Sequence, residues 1–235
     1  MKTLLFAFLF ALQAFAQGTS GNVDGHETLD YAVQSDRYTF AIPEGYVDAT
    51  SIYKKASEDP RLVYSLACVF VPKENMPEIL GGQQIAHPEV LKIDILKASK
   101  DQKISAQEFQ KMLNDVRKNL PKITSRNYPS RRVAEKVADD QIKKTHGNSS
   151  GSSTKSTENQ GIIYEDERSL LWTQTTEYDS VLYGEKRTLS MIAVHGAFYL
   201  DGRCFYLSLT KEFGTDLDVQ AFESIAIGYV QNIIR

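Results

Sequence analysis

Two cysteines and one tryptophan in 235 residues are the scarcest side chains of this chain. So few cysteines exclude a fold held by a disulfide framework, the device of small secreted domains that lack a core. There is no Cys-x-x-Cys, which removes zinc ribbons and thioredoxin-type redox pairs. The four histidines, His26, His87, His146 and His195, are far apart in sequence, and no His-Glu-x-x-His places two of them on one helical turn. A Gly-x-Ser-x-Gly nucleophile elbow and a phosphate-cradling Gly-rich loop are also missing. Nothing in these patterns calls for a cofactor. Charge of one sign is not concentrated either: 27 Lys and Arg stand against 30 Asp and Glu, for a net −3. Arg131-Arg132 and Lys143-Lys144 are isolated pairs, so neither nucleic acid nor an anionic lipid surface is an expected partner.

Long apolar runs are missing except at the very start. Met1-Lys2-Thr3 carries one positive charge, Leu4 to Leu12 is almost unbroken apolar, and Ala14-Phe15-Ala16 sets small residues at −3 and −1 of a cut before Gln17. This predicts a signal peptide over 1–16, cleaved on export to the periplasm or the extracellular space. The run is well short of the ~20 apolar residues of a spanning helix. Cleavage removes Lys2, so the formal charge of −3 becomes −4 (one positive charge lost), and no transmembrane segment follows.

At 42% hydrophobic, the rest of the chain can bury a core of its own. Residues 17–28 are polar and Gly-rich and predict a loose arm; 29–235 predicts one domain. Tyr38, Phe40 and Ile42 alternate with Arg37, Thr39 and Ala41, a strand stopped by Pro43-Glu44-Gly45. Val63 to Val71 is apolar on both faces, a strand inside a sheet, ended by Pro72. Leu91, Ile93 and Ile95 alternate with Lys92, Asp94 and Leu96; a strand is preferred, though Val90–Ile93 and Leu91–Ile95 also suit a helix. Ser105-Ala106-Gln107-Glu108 is a capping box, followed at helical spacing by Phe109, Met112, Leu113, Val116 and Leu120, up to Pro121. The stretch 146–160 is rich in Ser, Thr, Gly and Asn and predicts a flexible loop. Asn148-Ser149-Ser150 in it is a glycosylation sequon. Strand-like runs follow, with Asp201-Gly202 between two of them as a hairpin turn. A closing helix is capped by Asp216 or Asp218, with Val219, Phe222, Ala226, Tyr229, Val230 and Ile233 on its buried stripe. Strands followed by few helices indicate α+β with a largely antiparallel sheet.

This order resembles the PsbP-like fold of photosystem extrinsic proteins and DcrB-type periplasmic proteins. Tyr38-Thr39-Phe40-Ala41-Ile42-Pro43-Glu44-Gly45-Tyr46 is similar to its opening strand and turn, Leu91 to Leu120 to its strand and capped helix, and Arg203 to Ile233 to its last strand and helix. The likeness spans about two-thirds of the mature chain as element order. The long Ser-rich insertion departs from it. The resemblance implies an α/β/α sandwich with a binding or accessory role, and it carries over no catalytic residue.

Candidate sites are few. Cys68 and Cys204 both lie in apolar strand-like runs; export leaves open either a bridge between them or two separate buried thiols. Lys97 to Glu108 mimics a calcium loop, but Lys97 stands at the first ligand position and Gln102 where the turn wants Gly. Glu165-Asp166-Glu167 clusters carboxylates, expected at a solvated hairpin end. Tyr178, Tyr183, Phe198, Tyr199, Phe205 and Tyr206 are expected to pack a core rather than line a groove. The expectation is an exported, non-catalytic accessory protein that binds another protein. Its rivals are a secreted hydrolase assembled in the fold, with His195 and a carboxylate as the first pair to inspect, and a secretion chaperone or toxin-neutralising partner.

Overall fold

The computed structural model describes residues 20–23, 26–57, 60–62, 64–80, 89–97, 100, 102–123, 133, 135–137, 139–140, 143, 151–182, 185–214 and 217–233. The leader at 1–16, His87, His146, Asn148 and Tyr183 lie outside the described residues.

Strands β1 (Ser20–Val23), β2 (His26–Val33) and β3 (Asp36–Ala41) form a small antiparallel sheet. The expected arm is therefore corrected: Ser20 to Val23 pairs with His26 to Leu29, because backbone pairing asks only for an adjacent strand and not for apolar side chains. Then come β4 (Tyr46–Asp48), helix α1 (Thr50–Ser57), β5 (Tyr64–Pro72), a 3-10 turn at Lys73–Asn75, helix α2 (Met76–Leu80) and β6 (Val90–Leu96). Helix α3 (Ala106–Ile123), strands β7 (Gly151–Glu165), β8 (Ser169–Leu182), β9 (Glu185–Leu200) and β10 (Arg203–Glu212), and helix α4 (Val219–Ile233) complete the order. Seven strands make one sheet, β4-β5-β6-β10-β9-β8-β7, with every neighbouring pair antiparallel. The class is α+β, and 90–96 is strand.

Local chemistry explains the ends. Ser105 Oγ accepts from the Glu108 amide at 3.1 Å while Glu108 accepts from the Ser105 amide at 2.7 Å, so the capping box starts α3. Pro121 sits inside the last turn of α3, which runs on to Ile123 instead of stopping before it. Asp48 accepts from the Thr50 amide at 2.8 Å at the start of α1, and Asp218 from the Ala221 amide at 3.0 Å at the start of α4. Asp201 and Gly202 adopt φ of 47° and 87°, the left-handed pair a two-residue hairpin needs between Leu200 and Arg203.

The expected loop at 146–160 is corrected from Gly151 onward. Residues 151–160 belong to β7 and pair with β8 along their length. Their small polar side chains find cross-strand partners: Thr157 and Thr176 hydroxyls at 3.2 Å, Ser156 to Glu177 at 3.3 Å, Gln160 to Thr175 at 3.1 Å. The register of β7 shifts three times, between Thr154 and Ser156, Asn159 and Gly161, and Ile162 and Tyr164.

Each face of the large sheet carries its own cover. One face packs Leu171, Ile192, Val194, Phe198, Phe205 and Leu207 against α4 and the small sheet, with Phe40 and Phe205 rings 5.4 Å apart. On the other, Leu170, Trp172, Ala197 and Cys204 pack against Phe109, Met112, Leu113, Val116 and Leu120 of α3. Further along that second face, Val69, Val71 and Val90 pack with Ala49, Ile79, Ile52 and Met76 of α1, α2 and their surroundings. Arg203, 1% exposed, ties the small sheet to the large one. It donates to the Lys100 carbonyl at 2.6 Å, to Gln34 Oε1 at 3.3 Å and to Asp36 Oδ2 at 3.1 Å.

Candidate functional site

Between the two apolar patches of the α3 face the sheet is polar. Strand register sets Trp172 beside His195, His195 beside Ser208 and Ser208 beside Lys92. One step along, Gln174, Ala193, Thr210 and Val90 align; one step the other way, Leu170, Ala197, Tyr206 and Asp94 do. Alternation puts all of these on the same face. Asp94, Gln174, Thr176, His195, Ser208 and Thr210 are buried there.

Lys92 Nζ lies 2.8 Å from Asp94 Oδ2, while Asp94 Oδ1 has no hydrogen-bond partner. Burial raises the Asp94 pKa, and the Lys92 charge only tempers that rise. Trp172 Nε1, Gln174 Oε1 and Thr154 Oγ1 are likewise buried without a hydrogen-bond partner. An unsatisfied buried polar group costs about 1–3 kcal/mol. Beside the seam, the Tyr64 and Tyr206 rings stand 4.7 Å apart, and burial holds both phenols protonated. Trp172 and His195 rings lie 5.8 Å apart.

Ser208, His195 and Asp94 are the residue types of nucleophilic hydrolysis, and the first two are cross-strand neighbours. Asp94 is two strands from His195, about 9–10 Å in backbone spacing, and its bonded oxygen serves Lys92. A base and its orienting carboxylate need contact at about 2.6–3.2 Å. With His195 at 1% exposure and Ser208 at 6%, the trio is also closed to a substrate.

The other expected residues are placed as follows. Cys68 and Cys204 are free, buried thiols on opposite faces of the sheet, on β5 and β10 with β6 between them. A bridge needs Cα atoms within about 7 Å and side chains that face each other, so the bridged alternative is removed. Burial pushes the Cys204 thiol up to about 12 and that of Cys68 well above its usual value. His26 opens β2. Glu108 is engaged by Ser105 in the capping box. Asp166 accepts from Ser169 Oγ, the Arg168 amide and the Tyr164 hydroxyl, each at 2.8 Å, and so shapes the β7–β8 turn. Its neighbour Glu165 pairs with Arg117. Phe198 and Phe205 stack at 5.6 Å in the core, Tyr199 donates to the Ile104 carbonyl at 3.0 Å, and Tyr178 lies on β8. Among the described residues no group of three His, Cys, Asp or Glu is arranged to hold a metal ion.

The polar seam itself went unseen in the sequence apart from His195. Its signal was there: Phe205-Tyr206-Leu207-Ser208-Leu209-Thr210 and Leu91-Lys92-Ile93-Asp94 each alternate polar side chains with apolar ones. Such alternation ordinarily means a solvated face. Here that face is buried, which only the tertiary cover decides. Among the described residues no helix is long and apolar enough to cross a membrane. Compared with known proteins, the chain matches no family model and no curated sequence.

Proposed function

We propose that the chain is an exported accessory protein of the cell envelope or extracellular space that acts by binding another protein, on a PsbP-like α/β/α sandwich. The sandwich reading is supported by the covers on the two sheet faces, α3 on one and α4 with the small sheet on the other. Export rests on the charged, apolar and small-residue order of residues 1–16.

One observation carries the non-catalytic reading. The groups best suited to chemistry are spent on the fold: Glu108 on a helix cap, Asp166 on a turn, Asp94 on Lys92, and His195 and Ser208 beneath cover. The test is cross-linking in the exporting cell followed by mass spectrometry of the captured complex. A single stoichiometric protein partner, with the captured chain starting at Gln17, is the expected result. Partners that are themselves secreted toxins or secretion clients would specify the chaperone or neutralising role. Turnover of any ester or peptide by the pure chain, lost in His195→Ala, would overturn the reading in favour of a hydrolase.

A further inference from the structure

We propose that the small sheet β1–β3 is exchanged between two copies of this chain, each copy's small sheet closing on the other's large sheet to give a two-fold dimer. The unit that moves is set apart in the fold. β1, β2 and β3 pair only with one another, and among the described residues no backbone hydrogen bond joins them to the large sheet. Side chains alone hold the unit down. Leu29, Val33, Tyr38 and Phe40 enter the shared core, with the Tyr38 and Phe40 rings 5.0 and 5.4 Å from that of Phe205. Arg203 of β10 reaches across to Gln34 and Asp36, and Lys103 to Asp36 at 3.0 Å. Such contacts are blind to which copy supplies the small sheet, so a second copy is a partner whose complementarity is already built.

One connection, Ile42 to Tyr46, joins the unit to β4. The Tyr46 amide donates to the Pro43 carbonyl at 3.0 Å and closes a turn, with Gly45 at φ 81°. The Lys73 amide donates to the Gly45 carbonyl at 2.9 Å, which fixes the end of the hinge that belongs to the large sheet. Straightening the turn gives up the Tyr46 bond alone. Pro43 has no amide to lose and favours an extended Ile42, and glycine leaves the left-handed region without a steric barrier. Short hinge loops favour exchange. Residues 43–45 reach only about 10 Å when extended, so the two bodies meet at their β4 rims. Two-fold closure leaves no small sheet unmatched, and assembly stops at the dimer. Exchange takes place as chains fold, when the apolar strip beneath the small sheet is still uncovered. It is independent of the partner-binding role, and each can fail without the other.

The mature chain is refolded from urea at about 1 μM and at about 1 mM, then sized by light scattering after gel filtration. A dimer fraction at least ten-fold higher at the upper concentration is expected. A charge exchange between chains then reads how that dimer is built. Asp36→Arg alone sets like charges against Arg203, and Arg203→Asp alone sets two carboxylates together, so each variant refolds poorly by itself. Refolded together, they match only by exchange. The new arginine at 36 then meets the new aspartate at 203, and the native Asp36 of one chain meets the native Arg203 of the other. Native mass spectrometry is expected to show a heterodimer with one chain of each, in a folded yield at least ten-fold above either variant alone. A wild-type chain that stays monomeric at both concentrations refutes the exchange, whatever the variants do. A wild-type dimer whose two variants fold no better together than apart is built on another face, and refutes it as well.

Discussion

Removing the Arg203 guanidinium is expected to loosen the attachment of the small sheet. Its side chain is 2% exposed and donates hydrogen bonds to Lys100, on one side, and to Gln34 and Asp36 of the small sheet, on the other, segments far apart in the chain. Breaking a buried ion pair by deleting one partner costs about 3–5 kcal/mol. Asp36 retains Lys103 at 3.0 Å and a side chain 26% exposed, so the charge left behind can find water. Arg203→Ala is therefore placed at the low end, about 3 kcal/mol. For a chain of this size that is roughly 6–12 °C in Tm. Arg203→Met keeps the aliphatic stem in its slot and should lose less than about 2 kcal/mol, because an apolar replacement removes the desolvation penalty with the charge. The assay is urea and thermal unfolding by circular dichroism, at low and high salt. The Arg203 loss should be insensitive to salt, whereas that of Lys103→Ala, at an exposed pair, should shrink in salt. Equal losses for Ala and Met, or a loss below about 1 kcal/mol for Ala, refute the reasoning.

Acid should strengthen the seam. Burial raises the folded pKa of Asp94 above its unfolded value, so the folded state binds the extra proton, and stability rises as pH falls from above the raised value towards the usual aspartate range. Asp94→Asn should be more stable than the parent at neutral pH and lose that advantage in acid, checked by unfolding across pH. Asp36 runs the other way: the Lys103 and Arg203 hydrogen bonds hold its carboxyl below the usual range, so its contribution is present above that range and is lost as pH falls through the lowered value. In Gly196→Ala the new Cβ would lie 2.0 Å from Leu171 Cδ2 and 3.2 Å from the Leu170 carbonyl, so a stability loss of about 1–3 kcal/mol is expected in denaturant titration. Both thiols, buried and protonated, should resist iodoacetamide in the native chain and take two adducts once unfolded, read by intact mass; one fast native adduct contradicts the placement.

The elements legible in the sequence were those whose signal is local. Ser105 and Glu108 mark a helix start by themselves, and Asp201-Gly202 marks a hairpin because few residue pairs accept that backbone. Tyr38, Phe40 and Ile42 declared their buried face by alternation. What stayed illegible depends on a neighbour. Gly151 to Gln160 has no apolar pattern and is a strand because β8 lies beside it. Ser20 to Val23 is a strand for the same reason, with β2 as its partner. Thr50 to Ser57 carried only the Asp48–Thr50 cap, an easily overlooked start for so short a helix. The polar seam looked like a surface because burial is a property of what lies over a strand, and no strand encodes its own cover.

The three register shifts in β7 have a consequence for the chain in crowded surroundings. β7 is the long edge of the seven-stranded sheet, and a flat edge of that length would template pairing with another molecule. Each bulge bends the strand and breaks the even spacing of its free amides and carbonyls, so a second chain cannot run alongside in register. The opposite edge, β4, is only three residues long. Both rims of the sheet are thus poor seeds for fibrils, β7 through its irregular backbone and β4 through its shortness. Deleting a bulged residue such as Lys155 would straighten one rim and offer self-association a foothold.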